Sequence, residues 1–471
     1  DEVHRQVSPT FAVPLGVPGV APKSAEDSLL CMKTDDQLRI SIVACEPLVR
    51  DPVAIDFGVD GCVWVAEMPD YGRGVYEAFE QTGRVRCLRD QDGDGKLDNA
   101  TTFVAGLRFP TDVKVWRDGL LICDAPEILY ARDTNGDGSA DEIETLFSGF
   151  EVRNAQARVN SLRWGLDNWI HGSCGLFGGQ IKSHKTGMTT NLGGRDFRMN
   201  PDSGEIEAVT GRTQQGRCRN DWGDWFGCSN GSLLRHYSDN DRYVRRNQFA
   251  TASSPVGLTG DSDAHRLYPP GNLVRFALSG APGTATSACG LGIYRDITLG
   301  DEYFGCALTC EPVQQLVHRI KLSQDELGYK VERGDGETQS EFLTSTDRWF
   351  RPVQARTGPN GALWVVDMYR YVIEHPRWIP QSTLSELDVS AGQQLGRIYR
   401  VAPSKDLSQQ SPLPDLTTKS NLELAHLLGS TNGTQRDLAH QVLVWRHAGD
   451  VVAKLGNIVN EATLAQSKVH A

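Results

Sequence analysis

GCVWVAEM occupies residues 61–68, and GALWVVDM occupies residues 361–368. Both octets join a turn glycine, a tryptophan in an apolar run, and an acid before a methionine. Weaker echoes are GLLICDAPE (119–127), DNWIHGSCG (167–175) and DWFGCSNGS (224–232). Each has the form of a turn, then a strand, then an acidic or small polar residue. The echoes recur about every 50–60 residues, the scale on which four-stranded propeller blades repeat. About six such units fit between residues 37 and 403. The likeness of the first and last units suits a ring whose ends meet. The expected fold is therefore all-β, a six-bladed β-propeller over 37–403. A jelly roll or sandwich is the rival, and it leaves the repeated motif without a reason.

The flanks differ in character. Residues 1–36 hold a Pro-rich start without hydrophobic period, which predicts an extended arm. Residues 404–420 are a polar, Pro-containing linker. From 421 to 471 the pattern turns helical, with Leu422, Leu424, Ala425 and Leu428 as one apolar set and Leu438, Val442 and Trp445 as another. Short paired helices of this kind suggest the start of a HEAT-like array inside a longer polypeptide.

Two acidic ladders lie within the strand-rich region. DQDGDGKLD (90–98) and DTNGDGSAD (133–141) place oxygen-bearing residues at positions one, three, five, seven and nine, with glycine at six. The first offers Asp90, Asp92, Asp94, the Lys96 carbonyl and Asp98. The second offers Asp133, Asn135, Asp137, the Ser139 carbonyl and Asp141. Hard oxygen ligands converging through a tight turn are the chemistry of calcium loops. The flanks read as strands, so both loops are expected at hairpin turns, with two structural Ca²⁺ ions neutralising the clustered carboxylates.

A net charge of −12 argues against a nucleic-acid partner. No run of about 20 apolar residues is present, so no transmembrane segment is expected. The eleven cysteines show no zinc or haem spacing. Calcium loops and this cysteine count favour a periplasmic or extracellular setting, with a signal peptide removed before Asp1.

Propeller sites lie where loops converge on the axis. The repeat register nominates Glu67, Asp70, Tyr71 and Arg73, then Asp124 and Glu127, Arg158 and Asn160, Asp221 and Trp222, and Glu311. The last unit adds Arg351, Asp367, Tyr369, Arg370 and His375. Of these, Asp221, Asp367, His375 and Arg158 are the catalytic candidates. Glu67, Tyr71, Arg73, Asp124, Asn160, Trp222, Arg351, Tyr369 and Arg370 are the cofactor-binding candidates. Such a lining suits a sugar or a planar anionic cofactor. The bland alternative for each residue is a hydrogen-bonded loop anchor. His171 is expected as a packed core residue, and Trp164, Trp169, Trp222 and Trp225 as blade packing.

Longer phrases carry a resemblance. ACEPLVRDPVAIDFGVDGCVWVAEMPDY, GLRFPTDVKVWRDGLLICDAPEILYARDTNGDGSAD and WFRPVQARTGPNGALWVVDMYRYVIEHPRWIP are the most specific. From about residue 37 the chain resembles the N-terminal region of large planctomycete and verrucomicrobial proteins named membrane-bound dehydrogenases. The resemblance implies a six-bladed propeller related to quinoprotein sugar dehydrogenases, followed by HEAT-like repeats. It implies oxidation of a sugar or polysaccharide, pyrroloquinoline quinone as cofactor, and a cytochrome c as electron acceptor. A catalytic histidine of those enzymes would fall in NAQARVNSLRWGLDN, where this chain has Ala157, Arg158 and Val159. Asp167, Asp221 or His375 would have to substitute. The alternative is a non-catalytic propeller that binds a glycan or a protein. Cys289 and Cys310 flank what read as paired strands, which predicts one disulfide; Cys123 with Cys174 is a second expected pair.

Overall fold

The computed structural model describes residues 21–72, 81–239, 241–244, 246–247, 249, 256–260, 262–271, 273, 283–326, 328–406 and 412–471. Six antiparallel sheets form a six-bladed ring. Blade one runs Pro52–Phe57, Val63–Glu67, Gly83–Arg89, Asn99–Leu107 from the axis outward. Blade two runs Pro110–Trp116, Gly119–Asp124, Glu127–Arg132, Glu142–Phe150. Blade three runs Asn160–Trp164, Ile170–Ser173, Asp196–Asn200, Glu205–Val209, and lends the hairpin Gly179–Ser183/Thr189–Asn191 to the rim of blade two. Blade four runs Cys218–Arg219, Trp225–Ser229, Ser232–Tyr237, Val256–Gly257. Blade five begins Cys289–Ile293, Ala307–Glu311, Leu316–Asp325 and is widened by Gly328–Arg333 and Leu343–Ser345. Blade six runs Pro352–Thr357, Leu363–Asp367, Arg397–Pro403.

The N-terminal segment closes the circle. Leu38–Cys45 pairs with Arg397–Pro403 as the outermost strand of blade six. Met32–Lys33 pairs with Leu343–Ser345 in blade five. The described part of the expected arm is thus a short helix, Ala25–Leu29, and a rim strand. The inner strands touch their neighbours in cyclic order, blade six meeting blade one.

The octet that recurs in the sequence has a local cause. Gly58 N–H donates to the Cys62 carbonyl at 2.7 Å, and Gly358 N–H donates to that of Ala362 at 2.8 Å. In both turns a glycine takes a left-handed backbone, Gly61 at φ +77° and Gly361 at φ +82°. Other side chains rarely adopt that conformation. The strand that follows is buried on both faces, which is why it is apolar without alternation. Interblade packing is aromatic in places: Phe57 meets Trp364 edge-on with centroids 5.3 Å apart.

The tail is not a free appendage. Asn421–Leu427 carries a Ser420/Glu423 capping box, and Gly433–Trp445 is capped by Asn432. Leu424, Ala425, Leu428, Leu438 and Val442 pack between these helices, while Leu422 is half exposed. The second helix lies over one mouth of the ring. Its Gly433 N–H donates to the Arg295 carbonyl at 2.7 Å, and Trp445 packs on Trp116 at 5.8 Å. Val452–Glu461 and Ala465–His470 follow. No described helix is long and apolar enough to cross a membrane.

Candidate functional site

Opposite the tail helix, loops from all six blades surround a cavity of about 490 Å³ on the ring axis. A repeated irregularity decides what reaches it. Pro52, Pro110 and Pro352 open the inner strands of blades one, two and six, and pair with Glu67, Asp124 and Asp367. In each case the register slips directly afterwards. Such a bulge redirects one side chain. Val53, Thr111 and Val353, the residues at the slip, all line the cavity.

The acids at these strand ends do something else. Asp367 accepts from the backbone N–H of Arg351 and of Tyr369, both at 2.7 Å and both on Oδ1. Asp124 accepts from Phe109 N–H at 2.7 Å and Arg108 N–H at 3.2 Å. Glu67 accepts from Arg50 N–H at 3.0 Å and pairs with Arg84. Glu311 accepts from Ser287 N–H at 2.9 Å and Thr286 Oγ1 at 2.8 Å. Each acid therefore grips the segment that enters its own blade. Burial raises all four, Asp367 to about 7. Glu67, Asp124 and Asp367 are anchors, not lining residues, which corrects their nomination for the axis.

Of the thirteen catalytic and cofactor-binding candidates, Tyr71, Arg158 and Asn160 line the cavity. Tyr71 Oη donates to the Ile373 carbonyl at 2.5 Å and accepts from Gln156 Nε2 at 2.7 Å, tying three blades together. Asn160 Nδ2 donates to the carbonyls of Arg158 and Gln214, each at 2.7 Å. The Arg158 guanidinium lies over Phe109, 4.5 Å from its centroid.

The others lie elsewhere. Arg351 is buried and donates to the carbonyls of Arg370, Pro312 and Tyr371. Arg370 pairs with Asp51 in the interior, and Tyr369 Oη donates to Asp347 Oδ2 at 2.8 Å. His375 is buried, with its Nδ1 accepting from Arg377 N–H at 3.2 Å. Asp221 sits beneath the tail helix, 2.6 Å from both Arg295 and Arg436. Trp222 is half exposed in a cleft formed by blades three and four, beside Asp167 and His171. His171 is buried there, stacked on Trp225 at 4.1 Å, and burial lowers it to about 4. Arg73 falls outside the described residues.

Sequence reasoning missed the amides. Asn154, Gln156, Gln214, Gln215 and Asn230 line the cavity, with Thr286 and Ser287 beside them and Met68, Val313, Met368 and Ile373 as apolar wall. Glu374, Arg377 and the half-exposed Trp378 complete it. A usable signal was the polar, irregular entry to blades three and four, NAQAR (154–158) and RTQQG (212–216).

Both ladders sit at hairpin turns joining the outer two strands of their blades, and they are built alike. Asp90 accepts from Gly93 and Gly95 N–H at 2.8 and 2.9 Å; Asp133 accepts from Gly136 and Gly138 N–H at 2.7 and 2.8 Å. Those N–H groups lower Asp133, that of Gly138 most. Carboxylate oxygens of Asp90, Asp92 and Asp94 all lie within 4.8 Å of one another. Each loop reaches back to the preceding blade. Leu97 N–H donates to the Val43 carbonyl at 2.7 Å, and Ala140 N–H to that of Phe103 at 2.8 Å.

The disulfide expectation is corrected. Cys62 and Cys87 are bonded, in the turn and third strand of blade one. Cys289 and Cys310 face each other across paired strands as free thiols, and Cys123 and Cys174 are free and buried.

The pattern of the family described as a domain of unknown function (DUF7133) matches residues 24–405. This chain belongs to that family. The matched span covers the ring from the N-terminal helix to the end of blade six. No curated protein matches the chain. Among solved structures it is similar to a glucose dehydrogenase at 12% identity, covering 78% of this chain and 99% of that one, with a TM-score of 0.41. A soluble aldose sugar dehydrogenase from Escherichia coli gives 13% identity, 78% and 99% coverage, and a TM-score of 0.40. A Trichoderma reesei carbohydrate-active enzyme of family AA12 gives 12%, 83% and 100%, and 0.43.

Proposed function

We propose that the axial cavity binds a neutral polyhydroxylated ligand, a sugar of one or two rings. The observation that carries this is the lining itself. Amides from blades three and four, hydroxyls of blade five and an apolar wall line the cavity together, with Trp378 exposed beside them. A sugar presents the matching surface, hydroxyls that donate and accept around an apolar C–H face. Gln215 and Asn230 are the free hands of the site: among the described residues neither side chain makes a hydrogen bond to protein. Titration calorimetry against a panel of mono- and disaccharides tests the reading. Saturable binding that Gln215→Ala weakens supports it; no binding across the panel overturns it.

A second reading, oxidation of the bound sugar, is favoured by the Glu374 carboxylate on the same wall. A base must take the hydroxyl proton as hydride leaves. Pyrroloquinoline quinone, which would supply the hydride acceptor, carries three carboxylates. Toward them the cavity offers the guanidiniums of Arg158 and Arg377, with the Glu374 carboxylate among them. That donor set suits a neutral polyol better than a trianion. Dye reduction by protein supplied with quinone, calcium and sugar separates the readings; an external acceptor such as a cytochrome c would complete the enzyme. Sugar binding without reduction leaves a glycan-binding scaffold. In either case the two ladder loops are proposed as structural Ca²⁺ sites, and the tail as the opening of a HEAT-like array.

A further inference from the structure

At the end of the channel covered by the tail helix lies a second cavity, of about 80 Å³. Its wall is ionic where the first is amide-rich. Lys114, Arg163, Arg219, Arg295 and Arg356 line it, against Asp56 and Asp437.

The ion pairs around this cavity form a closed set. Asp56 holds Lys114 and Arg356, each at 2.8 Å. Asp112 holds Arg163 at 3.1 Å. Asp221 holds Arg295 and Arg436, and Asp437 holds Arg219 and Arg295, all at 2.6 Å. Six cationic side chains thus meet four carboxylates, and none has a further acidic partner among the described residues. Two positive charges are left over. The tail helix contributes one residue of each sign, Arg436 and Asp437, so the surplus belongs to the ring. His440 and His470 do not alter the count in the neutral range, because burial lowers them to about 4 and about 3.

Two further features act in the same direction. Arg163 and Arg356 line the same cavity, and burial first, then the Arg163 charge, lower the Arg356 guanidinium. The first turn of the 13-residue helix Gly433–Trp445 lines the cavity through Thr434, bringing the positive end of its dipole to bear. Charge taken out of water without a counter-charge is far costlier than a matched pair. A cavity of this size admits an ion with a water or two beside it.

We propose that this cavity is a site for a small inorganic anion of halide size, held between Arg163 and Arg356. Chloride is the occupant expected in solution. The anion balances the ring's buried surplus and steadies the channel end on which the tail helix sits. The site is separate from the sugar cavity at the other mouth and stands whether or not that cavity binds sugar.

Crystals of the full chain grown in sodium bromide test it. An anomalous bromide peak between the two guanidiniums is expected, and Arg356→Gln should abolish it. In solution, melting is compared in chloride and in gluconate at equal ionic strength, so that general screening is the same in both. Chloride should give a saturable rise of about 2–4 °C that gluconate does not. The wild-type comparison stands even if the variant fails to fold. Water-like density at that position in bromide, with equal melting in the two salts, would overturn the proposal.

Discussion

Asp437 stands between Arg219 and Arg295, with a carboxylate oxygen 2.6 Å from a guanidinium nitrogen of each. The aspartate comes from the tail helix and the arginines from inner parts of blades four and five, so this contact fastens the tail across the ring mouth. The pairing holds the Asp437 carboxyl far below the usual carboxylate range despite its burial. Asp437→Ala strands the buried Arg219 guanidinium, leaves Arg295 with Asp221 alone, and is expected to cost about 3–5 kcal/mol. Thermal unfolding should show that loss, and limited proteolysis should release the segment 421–471 before the ring is cut. Asp437→Asn, which keeps the shape, should cost less.

The ladder loops supply a second prediction. Each donates from its far end to the outer strand of the preceding blade, Leu97 to Val43 and Ala140 to Phe103. The first loop therefore rests on Leu38–Cys45, the strand that closes the ring. Removing calcium from the proposed sites should leave like charges crowded in both loops and loosen those strands. Chelation is expected to lower the melting temperature reversibly. Hydrogen exchange should rise first over 38–45 and 99–107. Asp92→Asn should remove the effect on the closing strand while leaving the effect on 99–107.

How much of this could be read beforehand differs by element. The turn glycine and buried second strand write themselves into the octets at 61–68 and 361–368, so the ring was legible. The ladders were legible because ligand spacing and sharp turn are both local. The direction of a side chain at a blade entry is not local. Glu67 and Asp367 end strands that point toward the axis, yet a one-residue slip after Pro52 and Pro352 turns the valines inward and gives the acids backbone N–H groups to hold. Asp221 carries the same lesson. Its partner Arg436 lies 215 positions further on, in a helix whose docking no local pattern announces.

The anchor acids give a pH prediction. Asp367 is raised to about 7 by burial, against about 4 for a free carboxyl. The folded state therefore holds a proton that the unfolded state has lost between these values. Asp367 contributes its full stability below about pH 4 and loses it as pH rises through about 7. Asp367→Asn keeps an oxygen for the Arg351 and Tyr369 N–H groups, which both use Oδ1. The variant should flatten the fall in stability between pH 4 and 7, measured by denaturant titration. An unchanged slope would mean that Asp367 titrates normally.

The axial cavity offers a test of the proposed sugar site in which stability and affinity part company. The Gln215 side chain lines the cavity and holds no other protein group, whereas Gln156 supports Tyr71. Truncating Gln215 to alanine removes a ligand contact and nothing the fold needs. A single hydrogen bond is worth about 1 kcal/mol net, so affinity for a bound sugar should fall about five- to tenfold. The melting temperature of the ligand-free protein should not move. Gln156→Ala should lower both, because the Tyr71 hydroxyl joins blades one, three and six through it. Calorimetry and thermal unfolding on the two variants side by side check the pair. Equal behaviour would place the ligand away from blade four.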